Sequence, residues 1–291
     1  MRWQRGTSDA DIEDRRGSSG GGFRRFPGGG GLGLGLGGII VIGLLSLLFK
    51  QNFFALLDNV PMDTSMTQTG GPDAPVSTSP EEDERFEFVK FVLNDVQDTW
   101  ASVLPQEANS QYPRATLVVF RGAVESACGF AESASGPFYC PGDNKVYIDL
   151  SFYDELQSRF GASGDFAQAY VIAHEIGHHI QNVLGIDHQM RRAQQQRPDL
   201  ANQLSVRLEL QADCLAGVWG HSTARRDLLE KGDIEEGLNA AAAIGDDRMQ
   251  SRSGRGVQPD KFTHGSSAQR LEWFRRGLES GRVASCDTFG R

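Results

Sequence analysis

Between Phe166 and Leu184 the apolar residues Phe166, Tyr170, Val171, Ile176, Ile180 and Val183 recur at helical spacing, and Gly185 follows as a natural stop. The pattern predicts a buried helix, and it carries His174, Glu175 and His178 in the run H-E-I-G-H. An i, i+4 pair puts both imidazoles on one face of the helix. Glu175, one residue beyond the first imidazole, can reach a metal-held water without binding the metal itself. Hydrolysis needs that arrangement. His179 points about 100° away around the helix and is expected to satisfy a backbone or side-chain partner.

Two ordinary core histidines would give the same spacing, but a second feature favours the metal. Glu209 and Asp213, in E-L-Q-A-D-C, are also i, i+4 on a stretch from about Val206 to Trp219 that is apolar over much of its surface. A Zn2+ ion in a catalytic site takes three protein ligands and keeps one position open for water, and a carboxylate on a neighbouring helix can supply the third. His174, His178 and Glu209 are therefore the expected zinc ligands and Glu175 the general base. Asp213, one turn beyond Glu209, would accept the other ring N–H of a ligand histidine and fix its tautomer. His188 and His221 read as solvated; Asp246 and Asp247 could support the site through hydrogen bonds, but the preferred reading is an acidic helix end.

The rest of the chain divides by composition. Residues 1–31 are polar and Gly-rich, with no apolar periodicity able to offset the entropy of ordering, and are expected to be a disordered arm. Leu32 to Phe49 is an uncharged run of Gly, Leu, Ile, Val, Ser and Phe, eighteen residues long, near the lower limit for a spanning helix. Arginines precede it, and Asp58, Asp63, Asp73 and Glu81 follow. The positive-inside rule therefore predicts a single-pass protein with a cytoplasmic N-terminus and an extracytoplasmic domain in the cell envelope. Residues 50–80, rich in Pro, Ser and Thr, read as a linker, and the folded domain is expected over 81–291.

Within that domain, Phe86 to Trp100 has helical periodicity, Thr116–Phe120 and Lys145–Leu150 read as short strands, and the pattern after Phe152 is helical. Few strands followed by many helices predict an α+β fold, a small sheet with a mostly helical C-terminal part. Lys145–Leu150 could be an edge strand, to which an extended peptide might be added as a further strand, or an internal one. A net charge of −9 argues against a nucleic-acid partner. The four cysteines, all beyond the apolar run, are compatible with two disulfides in an oxidising compartment or with four buried thiols. Cys128 with Cys140 would staple a loop, and Cys214 with Cys286 would tie a helix to the tail, but sequence alone does not choose among the pairings.

Taken together, H-E-I-G-H-H, E-L-Q-A-D-C-L-A-G, G-P-F-Y-C-P before K-V-Y-I-D-L, I-G-D-D-R at 244–248, the terminal C-D-T-F, the opening M-R-W and E-D-R-R-G at 13–17 resemble the bacterial neutral zinc metallopeptidases. The resemblance spans nearly the whole chain and implies a zincin-like fold and peptidase chemistry. More distantly, HExxH with a downstream ExxxD is similar to the gluzincins, which gives Glu209 the role of third ligand and Asp213 that of histidine support. T-H-G at 263–265 with Arg270 is similar to the T-H-P and Arg pattern of CAAX-type zinc peptidases, departing from it at Gly265. That likeness implies an oxyanion-stabilising role for His264, which as a plain surface residue would instead cap the helix beginning near Ser266. The expectation is a membrane-anchored zinc endopeptidase acting on a peptide or protein substrate, with no oligomeric state assigned. The alternative is a zinc-stabilised module that binds peptides or proteins without cutting them.

Overall fold

A computed structural model describes residues 1–17, 78–252, 254 and 256–290. The expected membrane helix (32–49), residues 50–77 of the linker and residues 18–31 of the arm lie outside them. Among the described residues no helix is long and apolar enough to cross a membrane.

The first long helix, α1 (Pro80–Ala108), is set by its own start and stop signals. The Ser79 hydroxyl accepts from the Glu82 amide at 3.2 Å, Pro80 takes the first turn, Glu81, Glu82 and Asp83 face the positive end of the helix dipole, and Asn109 closes it in the left-handed region. One sheet follows, in the order β1-β2-β6-β5. Its strands are β1 (Ile12–Asp14), β2 (Thr116–Phe120), β5 (Phe138–Cys140) and β6 (Lys145–Asp149), the first three pairs being parallel, parallel and antiparallel from β1 to β5. A separate hairpin, β3 (Ala123–Ser126) with β4 (Gly129–Glu132), rises between β2 and β5 in the chain. The helices α2 (Phe152–Ser158), α3 (Asp165–Val183), α4 (Ile186–Gln196), α5 (Ala201–Arg225), α6 (Asp233–Ala243), α7 (Asp246–Arg252) and α8 (Ser267–Ser280) complete the domain. The expected α+β class and the two expected strands are present, and Lys145–Asp149 is internal, with β5 as the edge beside it.

α3 lies at the centre of the helical part, against α5, α6 and α1. Its apolar face enters a core with Trp100, Trp219 and Phe274, all fully buried, and the Phe166 ring stacks on Trp219 at 5.5 Å. Glycines set how closely the helices approach. A side chain at Gly217 would collide with the backbone of α8, and one at Gly277 with the backbone of α5, so these two helices cross nearly backbone to backbone. Both disulfides are formed, Cys128–Cys140 and Cys214–Cys286, with Cα separations of 5.8 and 5.4 Å.

The expectation of a disordered cytoplasmic arm is corrected for residues 1–17. β1 pairs in parallel with β2, Ile12 opposite Leu117, and the flanking residues are tied down one by one. Trp3 packs edge-on against Phe88 at 5.5 Å, Lys90 bonds Asp9 at 2.8 Å, and Arg16 lies 4.1 Å over the Phe86 ring while pairing with Asp14 and Glu82. Composition misses this because the segment has no stripe of its own: it borrows order from a sheet edge and from charges on α1. The pairing has a topological consequence. Residues 12–14 and 116–120 belong to one sheet, so in this fold the first seventeen residues and the domain lie together.

Candidate metal centre

The site is made where α3 crosses α5. Gly177 allows the crossing, because a Cβ there would stand 2.9 Å from the Ala212 carbonyl oxygen of α5. The close approach brings His174 and His178 up to Glu209. His174 Nε2 is 3.2 Å from Glu209 Oε2, His178 Nε2 is 3.6 Å from Glu209 Oε1, and the two rings stand nearly perpendicular with centroids 4.8 Å apart. One donor atom from each of the three residues falls within 4.8 Å of the others. Two imidazole nitrogens and one carboxylate oxygen form a donor set suited to Zn2+.

The opposite ring nitrogens are already occupied. His174 Nδ1 faces Asp213 Oδ1 at 2.9 Å, and His178 Nδ1 faces Gln181 Oε1 at 2.9 Å, so both Nε2 atoms are turned to the shared point. Asp213 is fully buried and is held in turn by Arg270. The Arg270 Nε donates to Oδ2 and its Nη2 to Oδ1, both at 2.9 Å, and the Tyr170 hydroxyl donates to Oδ1 as well. Burial alone would depress the His174 imidazole, but the Asp213 carboxylate and then Glu209 outweigh it and raise it to about 9. Burial likewise opposes ionisation of Glu209, yet the His178 and His174 imidazoles hold its carboxyl well below the usual range. Arg270 and His174 do the same for Asp213. A largely buried group of two imidazoles and two carboxylates of this kind is well matched to a divalent cation.

Glu175, His174, His178, Glu209 and His264 all line one open cavity of about 590 Å³. The edge strand β5 contributes Phe138 and Tyr139 to its wall, and α7 contributes Met249. His264 reaches this cavity from the loop before α8 and does not cap that helix. Ser266 does so, in a capping box with Gln269. Asp246 is more than an acidic helix end: its Oδ2 accepts from the amides of Thr263, His264 and Gly265 at 2.7, 2.7 and 3.0 Å, and its Oδ1 faces His264 Nδ1 at 3.3 Å. That hydrogen bond raises the His264 imidazole against the opposing effect of burial. Asp247 in the same turn accepts from the Ser267 amide and hydroxyl, both at 2.7 Å.

Of the other histidines, His179 and His188 stand as expected, and His221, read as solvated, does not. His179 is buried and neutral in tendency, with its Nε2 2.6 Å from the Pro113 carbonyl oxygen and its Nδ1 3.0 Å from the Tyr139 hydroxyl, and so ties α3 to β5. His188 is exposed, whereas His221 is half-buried with Nδ1 2.8 Å from the Leu278 carbonyl oxygen. Three participants were not singled out in the sequence: Tyr170, Gln181 and the buried Arg270 as the partner of Asp213. For Tyr170 the signal was present, since it lies at i−4 from His174 on the same face.

Over residues 1–289 the chain matches the sequence family described as "Putative neutral zinc metallopeptidase". The chain belongs to that family. Among its relatives, the "Uncharacterized protein YpfJ" of Escherichia coli (strain K12) is 46% identical over 298 residues, covering 100% of this chain and 99% of the relative. The "Uncharacterized protein Rv2575" of Mycobacterium tuberculosis (strain ATCC 25618 / H37Rv) is 40% identical over 247 residues, covering 80% and 81%. No solved structure matches the chain. For this neutral zinc metallopeptidase family member, the family description and the His174, His178, Glu209 triad point to the same ion.

Proposed function

We propose that the protein is a zinc-dependent endopeptidase that hydrolyses peptide bonds, with His174, His178 and Glu209 as zinc ligands and Glu175 as general base. The observation that carries the reading is the convergence of these three donors in an open cavity that Glu175 also lines. Zinc bound there would lower the pKa of a water molecule and polarise the scissile carbonyl. Glu175 would take the proton from that water and deliver it to the leaving amine. Asp213, locked by Arg270, holds His174 in the tautomer that leaves Nε2 free. His264, its imidazole raised by Asp246, stands at the cavity wall where it could donate to the developing oxyanion.

A module that only binds peptides has no use for a carboxylate at position 175, which supports cleavage over mere capture. The substrate is a peptide or protein, and β5, which is the edge of the sheet among the described residues and lines the cavity, is the strand on which an extended substrate would lie. An oxidising, envelope location is supported by the two disulfides. Attachment to the membrane through residues 32–49 rests on their apolar sequence.

The test is Glu175→Gln in the full chain. The variant is expected to bind zinc as the wild type does and to lose peptide hydrolysis by at least about two orders of magnitude, read by mass spectrometry of a mixed peptide library with and without chelator. Cleavage at the wild-type rate would remove Glu175 from the role of base.

A further inference from the structure

The two ligand histidines are supported differently. His174 leans on a carboxylate, whereas His178 leans on the neutral side-chain amide of Gln181, 1% exposed and one turn further along α3. An amide can face a histidine with either end, and the end decides which imidazole nitrogen carries the proton. Here the choice is made elsewhere. Gln181 Nε2 donates to the Leu208 carbonyl oxygen at 2.7 Å and to Gln211 Oε1 at 3.1 Å. Gln211 is itself fixed, because its Nε2 donates to the Cys286 carbonyl oxygen at 3.0 Å. Main-chain carbonyls only accept, so Leu208 and Cys286 force both amides into one orientation. The Gln181 oxygen is left facing His178 Nδ1.

We propose that Gln181 is the positioning residue for His178, and that with Gln211 and the carbonyls of Leu208 and Cys286 it fixes the Nδ1–H tautomer and leaves Nε2 as the metal-binding atom. The inference rests on the zinc reading for its purpose, although not for its geometry. The relay runs from α3 through α5 to the C-terminal segment, and its last acceptor belongs to a residue cross-linked to Cys214 on α5. One ligand backed by a carboxylate and one by an uncharged amide donate less electron density together than two carboxylate-backed ligands would. That pairing would keep a bound zinc the stronger Lewis acid.

The experiment uses the full chain. In the metal-free wild type labelled with 15N-histidine, the His178 ring, identified by the signals lost in His178→Asn, is expected to carry a proton on Nδ1 bonded to the Gln181 oxygen. Zinc affinity is then measured by competition with a chelator. Gln181→Leu is expected to lose about 10- to 100-fold, Gln211→Leu less, because Leu208 still orients Gln181. Gln181→Glu keeps an oxygen facing Nδ1 but sets its other oxygen against the Leu208 carbonyl, and should recover only part of the loss. A His178 ring with no proton on Nδ1, or a Gln181→Leu protein that binds zinc as tightly as the wild type, would overturn the proposal. A wild type that binds no zinc would instead sink the metal reading, while the tautomer, read without metal, still decides this one.

Discussion

Arg270 is 1% exposed and carries its charge into the centre of the helical core, where Asp213 pairs with it at 2.9 Å and Glu209 lies at 4.0 Å. Such a pair is held together by what each partner would cost alone. Arg270→Met or Asp213→Asn leaves one buried charge without its partner, and each is expected to destabilise the metal-free protein by about 3–5 kcal/mol. The double variant should cost clearly less than the sum, read from urea unfolding midpoints; strict additivity would mean the two groups do not interact. A second residue-scale prediction concerns His264. Its pKa is raised by Asp246, so the imidazolium survives to higher pH than an ordinary histidine. If that cation donates to the oxyanion, activity falls as pH rises through the raised value. Asp246→Asn removes the cause, so the alkaline limb of kcat/KM should move to lower pH; an unmoved limb would take His264 out of the reaction. At this scale the sequence was legible wherever chemistry is written in local spacing, as in H-E-x-x-H and E-x-x-x-D, where one helix turn puts both groups on one face. The roles of Gln181 and of Arg270 as the partner of Asp213 were not legible, because the groups that orient Gln181 and the carboxylate that Arg270 pairs with lie on another helix. Asp246 was misread for the same reason: its three amide donors belong to residues 263–265, well beyond its own helix.

At the scale of elements, the site depends on how near two helices can come. Gly177 sits between the ligands in sequence and beneath them in space, with the Ala212 carbonyl oxygen 2.9 Å from where a Cβ would be and the Ala212 Cα at 3.0 Å. The obstruction is backbone and cannot rotate away, so α3 and α5 must part by some tenths of an ångström. Gly177→Ala is therefore expected to cost about 1–3 kcal/mol despite the better helix propensity of alanine. It should weaken zinc binding in the same protein, since Glu209 moves with α5. Unchanged stability together with unchanged zinc affinity, by thermal unfolding and chelator competition, would show that the crossing tolerates a methyl group. The helices themselves were readable from periodicity and caps, as were Thr116–Phe120 and Lys145–Leu150 from their β-branched and aromatic residues. β1 was not, being three residues of Ile, Glu and Asp whose order comes entirely from the edge of β2. The internal place of β6 was equally out of reach, since it requires knowing that β1 and β2 stand on one side of it and β5 on the other.

For the whole molecule, the sheet joins parts of the chain separated by residues 18–77. β1 and β2 exchange backbone hydrogen bonds, Leu117 donating to the Asp11 carbonyl oxygen at 2.8 Å and Arg15 to that of Val119 at 2.7 Å. The hydrogen bonds are supported by Lys145 with Glu13 and by Arg114 with Asp11 at 2.5 Å. If the sheet persists in the cell, both flanks of the intervening segment are expected on one side of any membrane. The reading from charge asymmetry put them on opposite sides, because the positive-inside rule weighs flanking arginines without regard to what they bind. Arg16 and Arg15 are engaged with Asp14, Glu82 and Glu13, so their charges serve the fold. The two arrangements separate in one measurement. Ser8→Cys and Ser251→Cys, both at exposed positions, one before and one after the intervening segment, are placed singly in the full chain and treated in intact cells with a thiol reagent that cannot cross a bilayer. The sheet requires that both label or that neither does, and both becoming labelled would further agree with the oxidised state of the four cysteines. Labelling of Ser251→Cys alone would mean that β1 leaves the sheet when the protein meets its membrane.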